Sequence, residues 1–395
     1  MSTPATSTLL LGSHRKLQTW IEDHHYRGYE PFDCLLSYLR PLTFRNRILE
    51  QILQQAGRQS PINIRPLLGV PPQESNQGRG YIAWAFLLKH ASGGDSSDLA
   101  KAETCLDWLD RQHCTIYPGH SWGNYFDYAS RGGKLPRGEP TIVWTSLIGQ
   151  AYLEAFEQTG SDRWLKIAES ICSWILALPR EKTARGTCLS YVAFEESYVH
   201  NSNMLGAAML ARTAKHTGNR EYLEVARAAM EYSCHGQLAD GAWYYGEDPM
   251  YHWIDNFHTG YNLDSLKRYT KYYGDETWRE NLTRGFQYFK AHFIDPDGCP
   301  RYYSNRRQPI DIQGAAQVID TLALFSDEDP ASLDLAVAVA QWTIQHMQDP
   351  DGHFYYRSYP LITAKVPMIH WGQATMFRAL AHVLIRLEQP SRPTG

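Results

Sequence analysis

Long apolar runs are missing from this chain. No stretch approaches the ~20 apolar residues that a membrane helix needs, so no membrane span is expected. The opening "MSTPATSTLLLGSHRK" has too short an apolar run, and no basic segment ahead of it, for a secretory signal. Paired cysteines are missing too. The seven cysteines are odd in number and scattered, with no CxxC, which predicts a reducing compartment, the cytoplasm, and no structural zinc. No HExxH or Cys/His ligand spacing is present, so neither a metal nor a cofactor is expected. A charge excess is also lacking: the formal net charge is −4, which argues against a broad nucleic-acid surface.

Aromatic residues, by contrast, are plentiful, with 25 Tyr and 12 Trp in 395 residues. Each offers an apolar face and a polar handle, which suits sugar or terpenoid ligands as well as plain cores. They also recur in register. "DGAWYYG" at 240–246, "DGCPRYY" at 297–303 and "DGHFYYR" at 351–357 start 57 and 54 residues apart. A period of that size marks a repeated supersecondary unit.

Between these runs lie paired amphipathic segments with apolar residues at i, i+3, i+4 and i+7, joined by short polar turns: 201–218 with 219–237, 256–274 with 275–293, 311–329 with 330–348. Upstream, 141–179 holds one more pair and 81–114 another. The last segment, 369–388, has no helix after it; either 14–25 or 45–57 could pair with it across a closure, leaving one N-terminal helix over. Inner helices are predicted to begin near 143, 201, 257, 311 and 369. Gly149, Gly206, Gly260, Gly314 and Gly372 recur at one phase of these helices. Glycine costs roughly 1 kcal/mol in a helix interior; close packing around a narrow axis would account for it. The expected fold is therefore all-α, an (α/α)6 toroid of six helical hairpins with short strands in the loops at one end. A single domain over 1–395 is expected, with an N-terminal helical extension at about 1–40.

This plan resembles the six-hairpin glycosidase superfamily, over about residues 40–390. The resemblance implies a saccharide substrate and a glycoside hydrolase, lyase or epimerase activity. "SPINIRPLLG" (60–69), "DGAWYYG" with "WIDNFHTGY" (240–261) and "HWGQA" (370–374) also resemble toroid proteins of bacterial polysaccharide-biosynthesis loci. That likeness implies polysaccharide-assembly proteins as partners.

On this plan the Asp-Gly loops and the starts of the inner helices share one end, and a polar set converges there. Asp255 and His258, three residues apart, share a helix face, with Tyr261 a turn deeper. Asp255 also suits a helix cap. Glu195, Glu196 and His200 precede or begin the next inner helix upstream, and Asp127 lies between Phe126 and Tyr128, where an apolar wall would favour its protonated form. These seven are the catalytic candidates. For substrate binding the candidates are Trp122, Trp243, Tyr245, Tyr303 and Tyr356 as stacking faces, and Arg131, Asn203, Gln313, His370 and Gln373 as polar contacts. Arg65, Arg306, Arg307 and Lys365 suit an acidic sugar.

Hydrolysis requires two carboxyl groups across the scissile bond, and Asp127, Glu195, Glu196, Glu247 and Asp255 supply the residue type. A uronate lyase or epimerase instead wants a His or Tyr base with a neutralising Asn, Gln or Arg, which His200, Asn203, His258 and Tyr261 supply equally well. The alternative is a non-catalytic glycan-binding or assembly protein. A terpenoid cyclase is a third reading, because "QLADGAW" (237–243) has the Q-x3-G-x-W spacing of such toroids, but a DxDD acid motif is absent.

Overall fold

In the computed structural model, which describes residues 4–93, 95–130 and 132–388, thirteen α-helices follow one another with only short strands between them. The first two are α1 (Pro4–Asp23) and α2 (Arg47–Gln59). Five antiparallel pairs follow: α3 (Asn76–Ala91) with α4 (Ser96–Arg111), α5 (Ile142–Thr159) with α6 (Asp162–Ala177), α7 (His200–Thr217) with α8 (Arg220–His235), α9 (Asn256–Tyr273) with α10 (Arg279–Phe293), and α11 (Ile312–Phe325) with α12 (Ala331–Met347). A π-helical turn, Ile369–Ala374, leads into α13 (Thr375–Glu388).

The first member of each pair is buried nearly throughout and touches the next: α3, α5, α7, α9, α11 and α13 form a series that closes where α13 meets α3. The second members lie outside. The sixth outer place is taken by α1, which packs on α13 and α12. Of the two candidates for that place, the segment containing 14–25 is the one that fills it, so α1 is part of the ring and does not stand off as an extension. The helix left over is α2. Its Gln54 accepts the Ala129 N–H (3.0 Å) and its Arg58 donates to the Tyr356 hydroxyl (2.8 Å), so it bridges the loops on either side of its own. No helix among the described residues is long and apolar enough to cross a membrane.

Inner helices start where the sequence offers a cap. Ser75, Thr141, Asp255 and Asp311 each accept a first-turn N–H. The phased glycines stand where inner helices approach most closely. A Cβ on Gly149 would lie 2.6 Å from Met209 of α7, one on Gly260 2.6 Å from Gln317 of α11, and one on Gly314 2.8 Å from Asn256 of α9. Gly80 of α3 faces Ile148 of α5 in the same way and adds a sixth position to the set.

The Asp-Gly repeat is a docking device between neighbouring hairpins. Asp240, Asp297 and Asp351 each accept the N–H two residues on. The following glycines have φ of +96°, +85° and +107° and press on the next outer helix: a Cβ would meet Arg284 O of α10 at 2.6 Å, Ala338 O of α12 at 3.0 Å and Lys16 O of α1 at 2.5 Å. The glutamine of Q-x3-G belongs to the same device. Gln237 Nε2 donates to Gly241 O and to Asn281 O of α10; Gln348 Nε2 donates to Gly352 O and to Ser13 O of α1. The spacing shared with terpenoid cyclases is thereby accounted for by architecture.

Candidate functional site

The loops that lead from an outer helix to the next inner one are long, and they gather at one end of the ring. The sequence "WIDNFHTG" builds the centre of this end. Asp255 caps α9 with Oδ1, which accepts the His258 N–H at 3.0 Å. Its Oδ2 is 2.7 Å from His258 Nδ1 and accepts the Trp253 indole N–H at 3.0 Å. A carboxylate on Nδ1 leaves Nε2 as the reactive nitrogen of the ring. The Asp255 side chain is 1% exposed and that of His258 20%, so the carboxylate is sealed and the imidazole is reachable. Tyr245 lies over His258 with ring centres 4.5 Å apart, and is itself stacked on Trp253 at 4.6 Å.

One turn deeper, Tyr261 shares its hydroxyl with Tyr81 of α3 (3.1 Å) and accepts from Gln313 Nε2 of α11 (3.0 Å). Burial pushes both phenols above their ordinary range, so they stay protonated. The ring of His370, in the π-helical turn before α13, lies parallel to Tyr81 at 6.1 Å. His370 Nδ1 is 3.3 Å from Glu30 Oε2. His370 Nε2, Glu30 Oε1 and Gln313 Oε1 are buried with no partner among the described residues. Buried polar atoms are nearly always satisfied; three unpaired ones around one axis mark a place where a polar ligand or water completes them. Beside them Trp371 is half-buried, donates to Asp311 Oδ1 (3.1 Å) and faces Phe257 and Phe32.

Below Tyr261 the axis is filled with charge. Arg378 and His382 hold Asp320 (2.6 and 2.8 Å), while Gln317 and Thr321 donate to Asp264 (both 2.9 Å). Burial raises the Asp264 carboxyl to about 6. Burial opposes ionisation of Asp320 as well, but Arg378 and His382 outweigh it and hold that carboxyl down.

Several candidates from the sequence stand elsewhere. His200 turns outward to Ser233 of α8 (3.3 Å) and lies 3.5 Å from Glu247; burial pushes it down to about 4. Asn203 also faces outward, bonding Leu189 N, Ala229 O and Ser233 Oγ. Trp122 and Trp243 are core rather than stacking surfaces, their indoles donating to Leu109 O and Ser233 O. Tyr356 is buried under Arg58. Gln373 clasps Phe354 through both main-chain groups, which ties a loop to the π-helical turn before α13. Asp127 is held by Arg40 (2.5 Å) and the Arg137 N–H (2.7 Å). Glu195 and Glu196 are exposed on the loop before α7. Tyr303 is half-buried beneath Arg306. Arg131 lies outside the described residues. Arg65 is buried against Asp33 (2.6 Å), Arg307 pairs with Asp297 (2.6 Å), and Lys365 is exposed over Tyr355.

Four residues of the axial group were not singled out from sequence: Glu30, Tyr81, Trp253 and Trp371. Glu30 lies in the stretch read as an extension. Once α1 is the sixth outer helix, residues 24–75 become a sixth long loop, and its polar residues belong with those of the other five.

No family model and no curated protein matches the chain. Solved structures do. Cellobiose 2-epimerase from Bacillus thermoamylovorans is similar with a TM-score of 0.62 and 10% identity, over 80% of this chain and 88% of that one. A D-mannose isomerase gives 0.60 and 14%, over 78% and 87%. A family 76 α-mannanase from Bacteroides thetaiotaomicron gives 0.59 and 11%, over 79% and 86%. At such identities the likeness speaks for the fold alone, and the fold of this chain is an (α/α)6 toroid.

Proposed function

We propose that this protein is a saccharide-active enzyme of epimerase or isomerase type, moving a proton at a carbon next to a sugar carbonyl. The observation that carries this reading is the Asp255–His258 hydrogen bond, which frees Nε2 of a reachable imidazole for general acid–base work. His370, beside Glu30 and with an unpartnered Nε2, is the second proton carrier. The protonated phenols of Tyr81 and Tyr261 share one hydrogen bond, and the O–H left over from that pair is a donor for the oxyanion of an enediol. Trp371 and Tyr245 supply faces for the sugar ring. The solved structures named above include an epimerase and an isomerase, which supports the class.

Hydrolysis fits the same residues less well. It requires two carboxyl groups flanking one bond. Here Asp255 is committed to His258 and Trp253, Asp311 to Arg357 and Trp371, and Glu30 lies against His370. The likeness to proteins of polysaccharide-biosynthesis loci supports a place in that process. Glycosyltransferase and polymer-exporter genes beside the encoding gene are the expected surroundings.

The test is solvent exchange. Reducing mono- and disaccharides are incubated with the enzyme in D2O, and loss of the C2 proton signal is followed by NMR. Exchange is expected with at least one sugar and is expected to fall ~10²-fold or more in His258→Gln and His370→Gln. Glycosidic cleavage without exchange would overturn the reading in favour of a hydrolase. Oligosaccharide binding with neither reaction, unchanged in both variants, would select a binding protein.

A further inference from the structure

Outside the axial site, three potential metal ligands meet at the base of the first hairpin. Asp110 ends α4, and His113 and His120 follow in the loop toward α5; one ligand atom from each lies within 4.8 Å of the other two. The two imidazole rings are 4.2 Å apart. His113 Nδ1 faces the Asp110 carbonyl, which can only accept, so Nδ1 carries the proton and Nε2 keeps the lone pair. His120 is fixed from α6: Ser170 Oγ accepts its main-chain N–H at 3.1 Å and lies 2.8 Å from its Nδ1. Its Nε2 is 2.9 Å from Asp110 Oδ1. Gly119, with φ of +89°, presses on α6, where a Cβ would meet Ser170 O at 2.5 Å. The turn that docks the hairpins therefore also aims His120.

We propose that Asp110, His113 and His120 bind one Zn2+ ion, with water completing the tetrahedron. Two imidazoles and one carboxylate suit this ion. Hydrogen bonds at Nδ1 are the outer contacts that orient ligating histidines, here from a main-chain carbonyl and a serine. When the ion binds, the neutral His120 ring changes tautomer: Nε2 gives a proton to solvent, Nδ1 takes one up from solvent and then donates to Ser170 Oγ, with no net proton released. Access is open: Asp110 is 46% exposed, and His113 lines an off-axis cavity of about 610 Å³ together with Trp108, Gln112 and Cys114.

A second group, Asp349, Asp351 and His353, is a natural control. His353 faces the Asp351 carboxylate with Nδ1 (2.6 Å) and the Lys365 carbonyl with Nε2 (3.2 Å). Both nitrogens are thus already engaged, and a metal on either would displace a contact that the ring makes.

The full chain, stripped with a chelator, is titrated with Zn2+ by calorimetry, and bound zinc is counted after dialysis. One equivalent per chain at or below micromolar Kd is expected, together with a zinc-dependent rise in Tm. His113→Ala and Asp110→Asn should each weaken binding at least tenfold with the zinc-free Tm little changed, while His353→Ala leaves it intact. The proposal fails if the His113→Ala/His120→Ala double variant retains zinc as the parent does, if loss follows His353→Ala, or if the parent retains none.

Discussion

Asp255 divides its two oxygens between two tasks. Oδ1 holds the start of α9, and Oδ2 holds the tautomer of His258. Substitution separates them. Asp255→Asn keeps a cap, since Asn is as good an N-cap as Asp. The charge behind Nδ1 is lost, so exchange should fall ~10²-fold or more with little change in the melting midpoint. Asp255→Ala loses both roles and should also lower stability by ~1 kcal/mol. Paired measurement of NMR exchange and thermal melts distinguishes the two, and unimpaired exchange in Asp255→Asn would remove the dyad from the mechanism. This pair was legible in the sequence because both residues sit in one local motif, with an i,i+3 spacing that does not depend on tertiary structure. Glu30 and His370 were not legible as a pair: 340 positions separate them, and nothing local to either names the other. His200 and Asn203 show the opposite limit. Their helix and its start are as expected, but helix periodicity does not say which side faces the axis when α7 is buried all round.

Helices and their starts were the readable elements. The observed starts at 142, 200, 256, 312 and 369 follow from cap residues and apolar periodicity that act within a few residues. The partner of α13 was not readable, because both N-terminal helices are amphipathic and only packing selects between them. The selection rests on contacts that mutation can probe. Gly352→Ala would set a Cβ against Lys16 O at a φ of +107°, and should cost roughly 2 kcal/mol or more in urea unfolding. The same substitution at Gly12, where no atom lies within 4 Å, is the control. A pH effect belongs to the same joint. His14 of α1 stacks on Phe377 of α13 at 4.5 Å, and burial, helped by Lys89 and Arg15, pushes it down to about 3. Between that value and 6.5 the unfolded chain binds more protons than the native one, so stability falls as pH falls through this window. The contribution is on the order of 3 kcal/mol. His14→Leu should flatten the difference between melts at pH 7 and pH 4.5; an unchanged slope would exclude His14 as its source.

At the scale of the molecule, the ring has a built end and a filled axis. Asp320 sits among Arg378, His382 and Arg268, all inside the ring of inner helices. Removing one partner of a buried pair leaves the other uncompensated, typically at 3–5 kcal/mol. Asp320→Asn should lose stability in that range while leaving exchange chemistry in the surviving folded fraction unchanged. A drop in exchange per folded molecule would instead join this network to the site above it.

The closing of the ring by α1 and α13 also orders events in time. The first helix made must wait for the last, because its apolar seat is α13 and the neighbouring α12. Ribosomes add roughly 5–20 residues each second, so α1 stands unpaired for tens of seconds while the remaining hairpins emerge. Throughout that interval the growing molecule is an open wedge with two uncovered edges, one on α3 and one on the newest inner helix. Chaperone binding and protease attack should therefore concentrate on nascent chains in which α13 has not yet emerged, and should fall once it has.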